Sequence, residues 1–200
     1  MKNNYELIPL SSVIDFENLV AGFDCDHEGI NDFLLKQAPK FEEERRLTTF
    51  LLVDNSSKKV VAFYSTTVGE LTSEIKEDDG MEAEVHKYLN LAYFAVDRRY
   101  HRRGLGTSLI RELFKSATLV SCYVGIEMLY LESVDEAVSF YRSVGFQLVK
   151  PNLTPEKYHA ELQDTTNINF DMFITIEDLF KKGYVPPERN VVPVLLSEKD

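Results

Sequence analysis

One change of period constrains this chain more than any other feature. "LAYFAVD" (91–97) is an apolar, aromatic run of strand length. "RRYHRR" (98–103) follows, then Gly104-Leu-Gly106. From there Leu105, Leu109, Ile110, Leu113, Phe114 and Ala117 recur at three- and four-residue spacing, which predicts an amphipathic helix ending near Ser121. Strand, basic turn and helix in this order point to an α/β organisation.

The turn is an electrostatic anomaly. The formal net charge is -11, yet Arg98, Arg99, Arg102 and Arg103 fall within six residues. The first turn of a helix leaves backbone N–H groups unpaired and carries partial positive charge. Glycine lets such a backbone approach a phosphate closely, and arginine adds charge-assisted hydrogen bonds. The stretch therefore reads as an anion site. A P-loop would need GxxxxGK[ST], which is absent. A Rossmann fingerprint would need glycine at Leu109 and a tighter turn than the seven residues between Val96 and Gly104.

The rest of the chain supplies a sheet and its cover. Ile30, Phe33, Leu34, Ala38 and Phe41 mark one helical face, with Asp24 or Asp26 as its cap and Pro39 as an interruption. "TTFLLVD" (48–54) and "VVAFYSTTV" (60–68) flank the turn "NSSKK" as a hairpin. "GIEMLYLES" (125–133), "GFQLVK" and "INFDMFITI" (168–176) read as further strands. "DEAVSFYRSVGF" (135–146) reads as a helix capped by Asp135 and stopped by Gly145. The expected fold is α/β (α+β) with a mixed sheet. Residues 1–180 form one domain and 181–200, with Pro186, Pro187 and Pro193, a C-terminal extension.

"His101-Arg-Arg-Gly104-Leu-Gly106" resembles the pyrophosphate loop [Q/R]-x-x-G-x-[G/A] of the GCN5-related N-acetyltransferases, with His101 where that family has Gln or Arg. "YFAVD" before it, the helix after it and the later "A-x-x-F-Y-x-x-x-G-F" element in "DEAVSFYRSVGF" extend the resemblance over about residues 5–176. The layout from "FDCDHEGINDFLLKQA" to "VVAFYSTTVGEL" looks most like the branch containing the toxins of bacterial toxin–antitoxin modules.

The resemblance implies a mostly antiparallel sheet splayed between its fourth and fifth strands, here 91–97 and 125–133, and flanked by helices. It implies acetyl-CoA as cosubstrate, with no metal. Phe94, Ala95 and Val96 would meet the pantetheine arm, and an amide near Val96 would polarise the acetyl carbonyl. His101, Arg102, Arg103, Gly104, Leu105, Gly106, Thr107 and Ser108 would wrap the pyrophosphate. Tyr141, placed at a helix start, stands at the position of the general acid that protonates departing CoA. Arg98 and Arg99 lie outside the motif, and either the CoA 3′-phosphate or solvent accounts for them. Glu70 and Glu132 read as strand-end carboxylates, with a role as general base the alternative.

The implied reaction is direct attack on acetyl-CoA by a primary amine of a small molecule or peptide. Two alternatives stand beside it: acetylation of aminoacyl-tRNA, and a non-catalytic acyl-CoA-binding module. A pI near 4.9 disfavours tRNA and anionic membranes. Glu74, Glu77, Asp78, Asp79, Glu82 and Glu84 set a carboxylate-rich segment against Lys76, and attraction of a cationic acceptor competes there with plain solvation. His27, His86, His101 and His159 show no metal-ligand spacing. Cys25 and Cys122 read as reduced thiols, Cys122 buried at a helix end, in a cytoplasmic protein without a membrane span. A homodimer is compatible with the sequence.

Overall fold

A computed structural model describes residues 4–77, 80–162 and 168–187. It has two compact units, Met1–Thr67 with Leu91–Arg111, and Val68–Asn90 with Glu112–Asp200. Among the described residues, seven strands hydrogen-bond in the order β1-β2-β3-β4-β5-β7-β6. They are β1 (Tyr5–Pro9), β2 (Thr48–Asp54), β3 (Lys59–Glu77), β4 (Gly80–Val96), β5 (Met128–Val134), β6 (Gln147–Leu148) and β7 (Asn169–Thr175). β4 and β5 are parallel, while β1–β2, β2–β3, β5–β7 and β6–β7 are antiparallel. Among the described residues the α-helices are α1 (Phe16–Val20), α2 (Glu28–Asp32), α3 (Ala38–Glu43), α4 (Leu105–Val120), α5 (Asp135–Val144), α6 (Pro155–Leu162) and α7 (Ile176–Lys181).

In the first unit the expected hairpin pairs Thr48 with Thr66 through Asp54 with Lys59, with one bulge at Leu52/Val53. The Asp54 carboxylate organises its turn by accepting from Ser56 N at 2.9 Å and Ser57 Oγ at 3.2 Å. β1 adds an edge strand to β2 that the sequence reading passed over. Between α2 and α3, Phe33–Gln37 form a π-helical turn, in which Ala38 N donates to Phe33 O. Pro39 has no N–H, so the helix widens there instead of continuing as an α-helix. Phe33, Leu34 and Ala38 stay buried against Leu51, Val60 and Phe63. The cap of α2 is His27, whose Nδ1 accepts from Ile30 N, and not Asp24 or Asp26. Asp24 instead accepts from Asn31 Nδ2 at 3.0 Å.

All six residues of the predicted α4 stripe are buried. In the second unit Leu129 and Leu131 of β5 and Met172 and Ile174 of β7 fill the inward positions of an antiparallel pair. α5 ends at Gly145, whose φ of 114° is the left-handed conformation expected of a C-terminal stop. Its N-cap is Val134. Asp135 sits inside the first turn and accepts from His159 Nε2 at 2.5 Å. Cys122 is exposed, not buried as expected.

The acidic stretch 72–90 does not interrupt the sheet, because β3 runs to Glu77 and β4 starts at Gly80. Cross-strand partners make this possible: Glu70 pairs with Lys87, and Ser73 hydrogen-bonds His86 at 3.0 Å. The side chains of Glu74, Lys76, Glu77 and Glu82, and Asp78 and Asp79 altogether, lie outside the described residues, as does the tail from residue 188. Glu84 is exposed.

Gly69 on β3 leaves room for the Tyr88 ring, which reaches the Tyr130 ring at 4.7 Å between centroids. A Cβ at Gly69 would meet Tyr88 Cε2 and Cζ at 2.5 Å. Gly69→Ala should therefore displace the ring and lower unfolding stability by about 1–3 kcal/mol in denaturant melts. The loss should largely disappear when Tyr88 is already alanine.

Candidate active site

The site is built around a carboxylate. Asp97, the residue after β4, is fully buried. Its Oδ1 accepts from Arg99 N at 2.9 Å and Arg99 Nε at 2.8 Å, and its Oδ2 from Arg99 Nη2 at 2.5 Å and Asp24 N at 3.3 Å. Its own N–H donates to Val61 O at 2.8 Å. Burial alone would raise its pKa. The hydrogen bonds from Arg99 and from the Arg99 and Asp24 amides outweigh burial and hold the carboxyl below the usual range.

The first two arginines of the cluster are engaged here. Arg99 Nη2 also reaches Gly22 O at 2.9 Å. Arg98 donates its amide to Asp24 O at 2.8 Å, and its side chain pairs with Asp24 and Asp26 at 3.2 Å each. These two arginines brace the loop against the 22–26 segment. Arg102 and Arg103 are exposed, and among the described residues neither forms an ion pair. The Arg103 guanidinium lies 5.3 Å from the centre of the Tyr100 ring.

The loop then turns into α4. Arg102 (φ 58°) and Gly104 (φ 77°) are both left-handed. A Cβ at Gly104 would meet nothing within 4 Å, so glycine serves the backbone conformation there. Ser108 N donates to Gly104 O at 3.0 Å. The amides of Leu105, Gly106 and Thr107 precede the first intrahelical bond, and they are the donors a helix N-terminus offers an anion. The N–H of Ser108 is already engaged.

His101 stands at the first position of the motif and points back along the chain. Its Nε2 lies 2.7 Å from Val96 O. A carbonyl only accepts, so Nε2 carries the proton. The ring ties the loop back to the end of β4, where Phe94 and Val96 are half-buried and Ala95 is buried.

Tyr141, in the second unit, is not at a helix start. It lies in the second half of α5, buried between Phe140 and Phe146 at centroid distances of 5.2 and 5.6 Å. Burial pushes its hydroxyl pKa well above the ordinary value. Of the two strand-end carboxylates, Glu70 pairs with Lys87, whose hydrogen bond and charge lower its pKa. Glu132 accepts from Asn169 Nδ2 at 3.4 Å. Among the described residues no group of three or more His, Cys, Asp or Glu is placed to hold a metal ion, and no helix is long and apolar enough to cross a membrane.

The brace has a pH signature. A carboxyl whose folded pKa is depressed stabilises the fold fully above its unfolded value of about 3.9, and that contribution is lost as pH falls through the folded pKa. Asp97→Asn should remove this acid-dependent part of the stability. Asp97→Ala should cost about 1–3 kcal/mol in denaturant melts at neutral pH, a figure reduced because the Arg99 side chain is 58% exposed.

A Tyr-to-Phe mutant of the toxin AtaT superposes with a TM-score of 0.72 at 20% identity, covering 90% of this chain and 94% of that one. AtaTR bound with acetyl-CoA gives 0.71 at 19% identity, over 90% and 98%. A Tyr-to-Phe mutant of KacT gives 0.68 at 18% identity, over 88% and 98%. At these identities the likeness establishes a shared fold. The family model of the acetyltransferase (GNAT) domain matches residues 48–148, from β2 through the glycine loop and α5 to the end of β6. The chain therefore belongs to the GNAT acetyltransferase family, enzymes that carry an acetyl group from acetyl-CoA to an amine.

Proposed function

We propose that this enzyme transfers acetyl from acetyl-CoA to a primary amine of a small molecule or peptide by direct attack. The observation that carries this reading is the braced loop. Asp97 and His101 fix its entry, and the left-handed Gly104 leads into α4, where the amides of Leu105, Gly106 and Thr107 precede the first intrahelical bond and can serve as anion donors. In this reading those amides, with Arg102 and Arg103, bind the CoA pyrophosphate. Phe94, Ala95 and Val96 align the pantetheine by strand-like pairing, and a backbone amide near Val96 polarises the thioester carbonyl.

The amine attacks as the neutral base and forms a C–N bond, the C–S bond then breaks, and the proton shed by the new amide nitrogen passes to solvent. Tyr141, at the position of the general acid, donates its hydroxyl hydrogen bond to the departing sulfur. Its raised pKa keeps the hydroxyl protonated across the physiological range. An ordinary thiol, at about 8.5, is more acidic than tyrosine, at about 10. Tyr141 therefore acts mainly as a hydrogen-bond donor to developing thiolate charge, with solvent restoring any proton it gives up.

A second reading, acetylation of the amino group of aminoacyl-tRNA, is favoured by the likeness in fold to AtaT and KacT, the first of which is described as a toxin. The net charge of -11 weighs against the wide basic surface that tRNA binding requires.

Release of CoA thiol, measured with polyamines, peptides and aminoacyl-tRNAs as acceptors, separates the two readings. Turnover with amines or peptides supports the first. Turnover confined to aminoacyl-tRNA supports the second. With the working acceptor, Tyr141→Phe should lower kcat about 100-fold while KM for acetyl-CoA stays within about two-fold. Wild-type kcat in that variant would remove Tyr141 from the mechanism. The raised hydroxyl pKa also predicts no alkaline fall in rate from Tyr141 below about pH 10.

A further inference from the structure

A second group of reactive side chains lies within the second unit, on residues the acetyl-transfer mechanism does not use. Ser73 is on β3, His86 on β4, and Glu127 immediately precedes β5. Ser73 Oγ lies 3.0 Å from His86 Nε2. His86 Nδ1 lies 2.8 Å from Glu127 Oε2. A carboxylate only accepts, so Nδ1 carries the proton, and in the neutral imidazole the Nε2 lone pair faces the Ser73 hydroxyl. Hydroxyl, imidazole and carboxylate thus follow one another in the hydrogen-bond order of an activated serine.

The orienting carboxylate is itself held. Glu127 Oε1 accepts from Lys87 N at 3.4 Å, Glu127 N donates to Lys87 O at 2.8 Å, and Glu127 O accepts from Ile176 N at 2.8 Å. The imidazole is mostly covered, with 20% of its side chain exposed, and Ser73 is half-buried. Glu84 Oε2 is also near Nε2, at 3.6 Å, beyond the hydrogen-bond distance that Ser73 meets. The hydrogen bond to Glu127 makes the imidazole a stronger base than usual.

We propose that Ser73, His86 and Glu127 form a serine acyl-acceptor site, at which Ser73 Oγ takes an acetyl group from an activated acyl donor. Ser73 Oγ attacks the carbonyl carbon of the donor, and its proton passes to His86 Nε2. Glu127 remains ionised and stabilises the imidazolium. The bond from carbonyl carbon to leaving group breaks, and the leaving group takes the proton from His86. With acetyl-CoA the products are O-acetyl-Ser73 and CoA thiol, with no change of oxidation state. The step is independent of Tyr141 and of any amine acceptor.

The test uses the full chain in two separate incubations, one with acetyl-CoA and one with p-nitrophenyl acetate without CoA, read by peptide mass spectrometry. The second donor lacks a CoA moiety, so the outcome is distinguishable from failure of the proposed amine acetylation. Expected is one added acetyl on Ser73 with both donors. The labelling rate should fall at least about 10-fold in His86→Gln and less in Glu127→Gln. Ser73→Ala, checked for an unchanged melting curve, should abolish labelling of that peptide. An unmodified Ser73 with p-nitrophenyl acetate, whatever acetyl-CoA does, overturns the proposal. So does labelling of His86→Gln at the wild-type rate.

Discussion

The buried carboxylate of Asp97 is the constraint on which the glycine loop depends. It ends β4, accepts four hydrogen bonds and anchors its own amide to β3 through Val61 O. A buried charge is tolerated only when paired and fully hydrogen-bonded. Arg99 and the amides of Arg99 and Asp24 meet that condition. In doing so they fix the backbone between strand and helix. Everything an anion would meet, from the left-handed Arg102 and Gly104 to the first turn of α4, starts from that fixed point. The chemistry of a GNAT enzyme needs such a point, because backbone donors stabilise charge only when they are already aimed.

This arrangement also answers why an acidic chain gathers arginines before two glycines. The four arginines do two jobs. Arg98 and Arg99 neutralise Asp24, Asp26 and Asp97 and hold the loop down. Arg102 and Arg103 are left as exposed cations beside the helix N-terminus. His101 contributes to the first job, not the second, by tying back to Val96 O.

Local signals were legible in the sequence wherever the deciding interaction was local. The α4 stripe, the 48–68 hairpin and the Gly145 stop each follow from periodicity or one special φ, and each is present. What was not legible depends on partners distant in sequence. β1 is five residues without clear alternation and exists through its pairing with β2. Asp135 looked like a cap until His159, 24 residues away, engaged it. The acidic hairpin looked unsuited to a strand, yet Ser73 with His86 and Glu70 with Lys87 pair across it. The brace role of Arg98 needed Asp24 and Asp26, and that of Arg99 the Gly22 carbonyl, all more than 70 residues upstream. α7 was missed although a signal was there, since Thr175 accepts from Asp178 N as a side-chain cap in the pattern T-x-x-D.

The central claim is that the braced loop and helix start recognise the pyrophosphate of acetyl-CoA. Calorimetric titration with acetyl-CoA and with acetyl-pantetheine, which carries the same thioester and arm without the pyrophosphate, tests it most directly. Two or more charge-assisted hydrogen bonds predict that acetyl-CoA binds at least about 100-fold more tightly, with the difference shrinking as salt rises. Equal affinity for the two ligands would contradict the account.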